Sequence, residues 1–156
     1  MAYRIEGLSR SRFEDLFGQP DETLARNGAR RVRANSKPGY PCRITLEDAE
    51  PGESLILLNF VSHDVPTPFR TTYGIFVREA AGDAPCFDDR VPPLLESRTL
   101  GLRGFDSEGM LRGGLLAMPG EADARIRELF ERPEIATIHA HNAALGCFLV
   151  RVERNG

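Results

Sequence analysis

Two of the three histidines in the chain lie close together near its C-terminal end, and a cysteine follows a few residues later. The sequence reads HAHN at 139–142 and GCF at 146–148. Imidazole and thiol groups transfer protons, bind metals or attack electrophiles near neutral pH. We therefore expect the functional site here, with His139, His141 and Cys147 as candidate acid–base or nucleophilic residues. Asn142 is either a further ligand-binding side chain or a residue of the turn.

A second group of candidate residues lies in the sequence KPGYPCR at 37–43. Two prolines and a glycine restrict the backbone there and predict a rigid turn. Lys37, Tyr40 and Arg43 would present hydrogen-bond donors to an anion, because ammonium and guanidinium groups match carboxylate and phosphate. Cys42 lies near basic residues that favour a thiolate, which makes it a second candidate nucleophile. A solvated turn that binds no ligand is the alternative interpretation.

The histidines lie in the first of two strand-like segments, 135–141 and 147–153, which predict a C-terminal β-hairpin. With a loop at 142–146, the cross-strand pairs would be His141 with Cys147 and His139 with Leu149. Both imidazoles and the thiol would then share one face, since residues directly opposite each other in antiparallel strands do so. The other face would be entirely apolar and would turn Ile138, Phe148 and Val150 towards the core.

The pattern of apolar residues predicts a single α+β domain over residues 1–156, built mainly from antiparallel sheet. Short helices are expected near the N-terminus, and the clearest amphipathic helix spans 121–132, before a proline. Besides the final hairpin, strands are predicted at 30–34, 42–46, 54–61, 69–79, 100–105 and 110–118. The strand at 54–61 is expected to be buried on both faces. The segments 62–68, which contains His63, and 80–93 are predicted to be surface loops.

The composition is typical of an ordinary globular protein, with 41% hydrophobic and 28% charged residues. A formal net charge of -3 gives no indication of nucleic-acid binding, which usually requires a basic face. No apolar run approaches the roughly 18 residues of a membrane span, and the first residues lack the apolar segment of a signal peptide. Three cysteines without dense spacing argue against a disulfide framework. We therefore expect a cytoplasmic protein with neither a nucleic-acid nor a membrane partner.

Together, the motifs at 37–43 and 139–148 and the sequence LEDAE at 46–50 resemble a family of small bacterial proteins catalogued as a domain of unknown function. The resemblance extends from RIEGL at 4–8 to RVE at 151–153. It implies one intact domain, and it implies no activity, cofactor or site residue.

Three functions are compatible with these residues. The first is a site that binds or processes a small anionic metabolite, formed by the side chains of both motifs together with Arg103. The second is a metal site made by His139, His141 and a cysteine, although the chain has no Cys-x-x-Cys pair and we assign no metal ligands. The third is a non-catalytic module that binds a protein partner. The rigid basic turn favours the first, and we expect the two motifs to meet in one pocket.

Overall fold

The computed structural model describes residues 2–156 and shows a mainly antiparallel α+β architecture, as the sequence predicted. The strands and helices are, in chain order, β1 (Tyr3–Glu6), α1 (Asp21–Arg26), β2 (Arg30–Arg33), β3 (Ser54–His63), β4 (Thr71–Arg78), β5 (Cys86–Asp88), α2 (Pro93–Glu96), β6 (Leu100–Phe105), β7 (Leu111–Ala117), α3 (Ala122–Phe130), β8 (Thr137–Asn142) and β9 (Phe148–Arg154). Two short 3-10 helices, Arg10–Arg12 and Glu14–Leu16, precede α1. None of the helices in the described part of the chain has the length and apolar character needed to cross a membrane.

The strands form two antiparallel sheets. The larger sheet has six strands in the order β5-β1-β9-β8-β6-β7, and the smaller has three in the order β2-β3-β4. β8 pairs with β9 on one side and with β6 on the other. Because side chains alternate along a strand, Ile138 and Ala140 point to one face of the larger sheet and His139 and His141 to the other.

Helix α3 covers the first of these faces. Its apolar residues recur at helical spacing, and Ile126, Leu129 and Phe130 are buried against the sheet. Ile138 and Val150 lie in the same apolar cluster, as the sequence predicted for the core face of the final hairpin. Since this face of β8 carries the aliphatic residues, its two histidines must point away from α3.

The β3–β4 hairpin packs against the histidine-bearing face of the larger sheet. Several of its apolar residues belong to a second apolar cluster, which also contains residues of the N-terminal helices. Asn59 on β3 is exposed, so the prediction that this strand is buried on both faces is wrong. Further along, the Phe60 ring lies 6.1 Å from that of Phe148, and the Tyr73 ring lies 5.1 Å from that of His141. The two sheets therefore meet here through aromatic and imidazole rings.

The predicted strand at 42–46 is wrong. Cys42 makes only an isolated bridge to Phe76, and the chain then turns, with the Leu46 N–H donating to the Cys42 carbonyl at 3.0 Å. Leu46 packs in the cluster under α3, whereas Ile44 packs in the second cluster. The apolar residues that suggested an alternating strand therefore fill two separate cores. The predicted loop at 80–93 also contains a short strand, β5.

The predicted register of the final hairpin is also wrong. His139 lies opposite Arg151 and His141 opposite Phe148, because the register shifts between Ala140 and His141. The β-bulge allows Leu149 and Val150 to pack together under α3 and turns Phe148 towards the histidines. The prediction assumed one polar face, whereas four of the six residues of β8 are buried. With both faces buried, the apolar pattern does not select the register.

The cluster under α3 yields a stability prediction. Replacing the fully buried Ile138 by alanine leaves a cavity and should lower the free energy of unfolding by about 2–5 kcal/mol. Leu145 in the β8–β9 turn is 85% exposed, so Leu145→Ala should change it by less than about 0.5 kcal/mol. Urea unfolding followed by circular dichroism measures both, and equal losses would contradict this assignment of the core.

Candidate functional site

All three histidines of the chain lie in one cluster between the two sheets. The centroids of the His63 and His139 rings are 5.0 Å apart, and those of His139 and His141 are 6.4 Å apart. Each side chain is buried, with exposed fractions of 6%, 1% and 2% respectively. The prediction that His63 lies in a surface loop is wrong, because β3 continues through a bulge to residue 63. The ring of His63 then packs on Phe105, with centroids 4.0 Å apart.

Backbone carbonyls define the tautomers of two of these rings. Nδ1 of His141 lies 3.0 Å from the carbonyl oxygen of Gly146, which can only accept, so Nδ1 carries the proton. Nε2 of His63 likewise donates to the carbonyl of Gly109 at 3.0 Å. Nε2 of His141 therefore carries a lone pair, and it has no hydrogen-bond partner within residues 2–156. It is available to accept a proton or a hydrogen bond.

His139 differs from the other two histidines because its Nε2 is buried and has no hydrogen-bond partner in the described part of the chain. Leaving a buried polar atom unpaired costs about 1–3 kcal/mol. Such atoms are uncommon in folded proteins and call for a specific explanation.

Burial keeps both β8 imidazoles uncharged. Desolvation lowers the pKa of His139 from 6.5 to about 3, with smaller contributions from the nearby His63 and Arg151. Desolvation also lowers the pKa of His141 to about 4, although the hydrogen bond to Gly146 opposes this shift. At neutral pH the two rings therefore act as polar, uncharged groups.

A cavity of about 280 Å³ opens beside β8, and we call it the histidine–arginine cavity. Its polar lining consists of Arg70, Thr71, Arg103, His139 and His141. Its apolar lining consists of Pro68, Phe69, Phe105 and Leu111. No Asp or Glu of residues 2–156 contributes to this wall, so the side chains that line it are basic, neutral or apolar.

Arg103 provides the unneutralised charge of this cavity. It lies on β6 directly opposite His139, and its Nη1 donates to the Tyr73 hydroxyl at 2.9 Å. Arg103 forms no ion pair with any carboxylate of residues 2–156. Arg70, the other cation in the wall, is paired with Asp64 at 3.1 Å. Arg103 was predicted from the sequence, whereas Tyr73 was not, since nothing in the residue pattern of β4 connects Tyr73 with β6.

Of the residues predicted in the 37–43 turn, Arg43 reaches the histidine hairpin. Its buried guanidinium donates from Nε to the carbonyl of Phe148 at 2.9 Å and from Nη1 to that of Pro41 at 2.7 Å. Burial lowers the pKa of Arg43 to about 10, and the nearby Cys147 opposes this shift. Arg43 therefore connects the turn to the start of β9, beside the half-buried Cys147.

The other predicted residues lie outside the cavity wall. Lys37 is exposed and paired with Glu50, and Tyr40 packs on Phe76 with ring centroids 5.3 Å apart. Cys42 is fully buried, and its Sγ accepts hydrogen bonds from the backbone N–H groups of two half-buried residues.

Asn142 serves the turn rather than the cavity. Its Oδ1 accepts hydrogen bonds from the backbone N–H groups of Ala144 and Leu145, at 3.0 and 3.4 Å. This geometry is that of a turn residue, which was the alternative interpretation of Asn142. The structure thus brings Arg43 to the histidine hairpin and leaves the rest of the basic turn apart from the cavity. Among residues 2–156, no group of three or more His, Cys, Asp or Glu side chains is arranged to hold a metal ion.

The burial of Cys42 reverses the reactivity that its basic neighbours suggest. Cys86 is exposed on β5, whereas Cys42 is 0% exposed. We expect native Cys42 to react with iodoacetamide at least about 100-fold more slowly than Cys86, because reaction requires local opening of the core. Mass spectrometry of the labelled peptides measures both rates, and unfolding in urea should make them equal. Equal rates in the native protein would contradict the burial of Cys42.

The lowered pKa of His139 predicts a loss of stability in acid. Unfolding returns the pKa of this imidazole to about 6.5, so the unfolded state binds a proton that the folded state excludes. The free energy of unfolding should therefore fall by about 2 kcal/mol for this group between about pH 7 and about pH 5. His139→Phe should remove that share of the pH dependence, whereas Leu145→Ala should retain it. Urea unfolding at several pH values tests this prediction. If the free energy of unfolding of His139→Phe depended on pH as strongly as that of the wild type, the burial of a neutral ring would be contradicted.

Comparison with known proteins identifies the family of the chain. Neither the curated proteins nor the solved structures gave a match. A family model matches residues 39–154, which is well over half of the chain and includes every residue of the histidine–arginine cavity wall. This confirms the resemblance to a family of unknown function. The chain belongs to the family described as Protein of unknown function (DUF1203).

Proposed function

We propose that this protein binds a small anionic molecule in the histidine–arginine cavity. The observation that carries the proposal is that two incompletely satisfied groups line the same small space. They are the Arg103 guanidinium, which has no carboxylate partner among residues 2–156, and the Nε2 of His141, which has no hydrogen-bond partner there. An anion would neutralise the first group and lie within the cavity that the second one borders.

The electrostatics of the wall support binding of an anion. A guanidinium forms its strongest hydrogen bonds with an ionised acceptor, and the attraction increases where water is excluded. The Tyr73 hydroxyl accepts a hydrogen bond from Nη1 of Arg103, which orients the guanidinium. The neutral state of the two imidazoles leaves Arg103 without additional like charges on β8. The wall therefore combines the unpaired charge of Arg103 with uncharged imidazoles and apolar side chains.

Processing of the bound molecule is a further element of the proposal. Burial makes His141 a weak base, so its Nε2 lone pair would accept a proton only transiently from a ligand that is held by Arg103. Cys42 is not suited to such a step because it is buried in a core away from the cavity wall. Cys147 lies beside Arg43 at the start of β9 and outside the cavity lining, so His139 and His141 are the proposed acid–base residues.

The competing functions have weaker structural support. A metal site at His139 and His141 requires a third ligand, and the described residues provide no such group of side chains. A protein-interaction module would present the polar face of the hairpin to a partner. In this fold, the β3–β4 hairpin covers that face, and His139 and His141 are 1% and 2% exposed.

Substitution of Arg103 tests the proposal. Arg103→Met removes the charge and should weaken the binding of propionate about tenfold or more, since a hydrogen bond to a charged group contributes about 1.5–3 kcal/mol. Isothermal titration calorimetry gives the dissociation constants, and thermal unfolding checks that the variant is folded. Lys37→Gln is the matched control, because it removes one exposed cation that is distant from the cavity wall. Equal effects of the two substitutions on propionate binding would contradict the proposal, as would the failure of every carboxylate and phosphate probe to bind the wild type.

A further inference from the structure

We propose that the histidine–arginine cavity selects a short monocarboxylate that carries a hydroxyl group, in preference to phosphate, a dicarboxylate or an amino acid. This inference rests on the proposed anion-binding function and adds the chemical class of the ligand. It follows from the charge, the hydrogen-bonding groups and the size of the cavity.

The charge of the wall matches a single negative charge on the ligand. Arg103 is the only cation in the wall without an acidic partner among residues 2–156, because Arg70 is paired with Asp64. The two imidazoles add no charge at neutral pH, since burial lowers the pKa of each well below 6.5. A second negative charge on the ligand would lose water without gaining a free cation, which is costly in a partly buried site. Phosphate and dicarboxylates are therefore disfavoured.

The free edge of Arg103 matches a planar carboxylate. Nη1 is engaged with the Tyr73 hydroxyl at 2.9 Å, whereas Nε and Nη2 have no hydrogen-bond partner within residues 2–156. These two nitrogens form one edge of the guanidinium, and their parallel N–H groups fit the two oxygens of a carboxylate. The hydrogen bond to Tyr73 thus uses Nη1 alone and leaves the edge formed by Nε and Nη2 available to a carboxylate.

His141 determines which second group the ligand needs. Its Nδ1–H is committed to the Gly146 carbonyl, so Nε2 can only accept a hydrogen bond. The ligand must therefore bring a donor, which is either a hydroxyl or an ammonium group. An ammonium ion would lie near the guanidinium groups of Arg103 and Arg43, which already act on His141, without any acidic side chain in the described cavity wall. A hydroxyl group meets the requirement without adding a positive charge.

The size and the apolar lining limit the carbon skeleton. Phe69, Phe105 and Leu111 line the cavity, and its volume is about 280 Å³. Binding sites for drug-sized molecules usually measure about 300–1,000 Å³. The space therefore suits a ligand smaller than most drug-sized molecules, whose apolar part contacts these side chains.

Three probes with the same carbon skeleton test the inference: lactate, propionate and alanine. Calorimetry on the full-length protein near neutral pH should show that lactate binds at least about fivefold more tightly than propionate, the value of one additional hydrogen bond. Alanine, malonate and phosphate should all bind more weakly than lactate. In His141→Phe, the preference for lactate over propionate should fall to less than about twofold, because the acceptor is lost while Arg103 remains.

His141→Gln provides a second variant if His141→Phe does not fold, because an amide oxygen can still accept a hydrogen bond. It should retain part of the preference for lactate. Propionate or alanine binding as tightly as lactate, or phosphate or malonate binding more tightly, would overturn the hydroxy-acid inference and leave the proposed anion site intact. No binding of any of the five probes would overturn the proposed function itself.

Discussion

The burial of both faces of β8 is the constraint on which the rest of the site depends. Helix α3 packs on Ile138 and its aliphatic neighbours, and the β3–β4 hairpin packs on the side that carries His139 and His141. Imidazoles that would be solvated and titratable on an exposed hairpin are thereby held neutral. Because water is excluded from most of this layer, each polar group must find its partner in the protein or in a bound molecule. Nε2 of His139 has none in the described part of the chain, and this distinguishes the cavity from an ordinary core.

The second unusual burial is that of Arg43. Its guanidinium is 1% exposed, and its hydrogen bonds run to backbone carbonyls rather than to a carboxylate. These bonds connect the 37–43 turn to the first residue of β9, while the Gly146 carbonyl accepts a hydrogen bond from Nδ1 of His141. The chain on both sides of Cys147 is therefore tied to polar side chains. Arg43 and the neighbouring turn thus support the geometry of the hairpin, and Arg103 provides the charge that faces the cavity.

Elements with a strong apolar period were predictable from sequence, including α3, the β6–β7 hairpin and the existence of the final hairpin. The clusters in which individual apolar residues pack were less predictable. The segment 42–46 looked like a strand because Ile44 and Leu46 are apolar, yet they pack in two different clusters. The sequence identified His139 and His141 from residue chemistry alone, and it named Arg103. It missed His63 and Tyr73, since their contacts come from the packing of one sheet on the other, which no local pattern encodes.

The β-bulge near Leu149 separates two parts of the final hairpin that would otherwise share one register. Downstream of it, Val150 and Val152 remain in the core under α3, and upstream of it Phe148 joins the histidines. A change in the length of the β8–β9 turn can therefore be absorbed at the bulge without exchanging the two faces of β9. We therefore expect insertions to be tolerated at the tip of this turn, where Leu145 is exposed, rather than at Gly146, whose carbonyl holds His141. Variation in the length of the turn would alter the rim beside His141 while leaving the interior of the sheet unchanged.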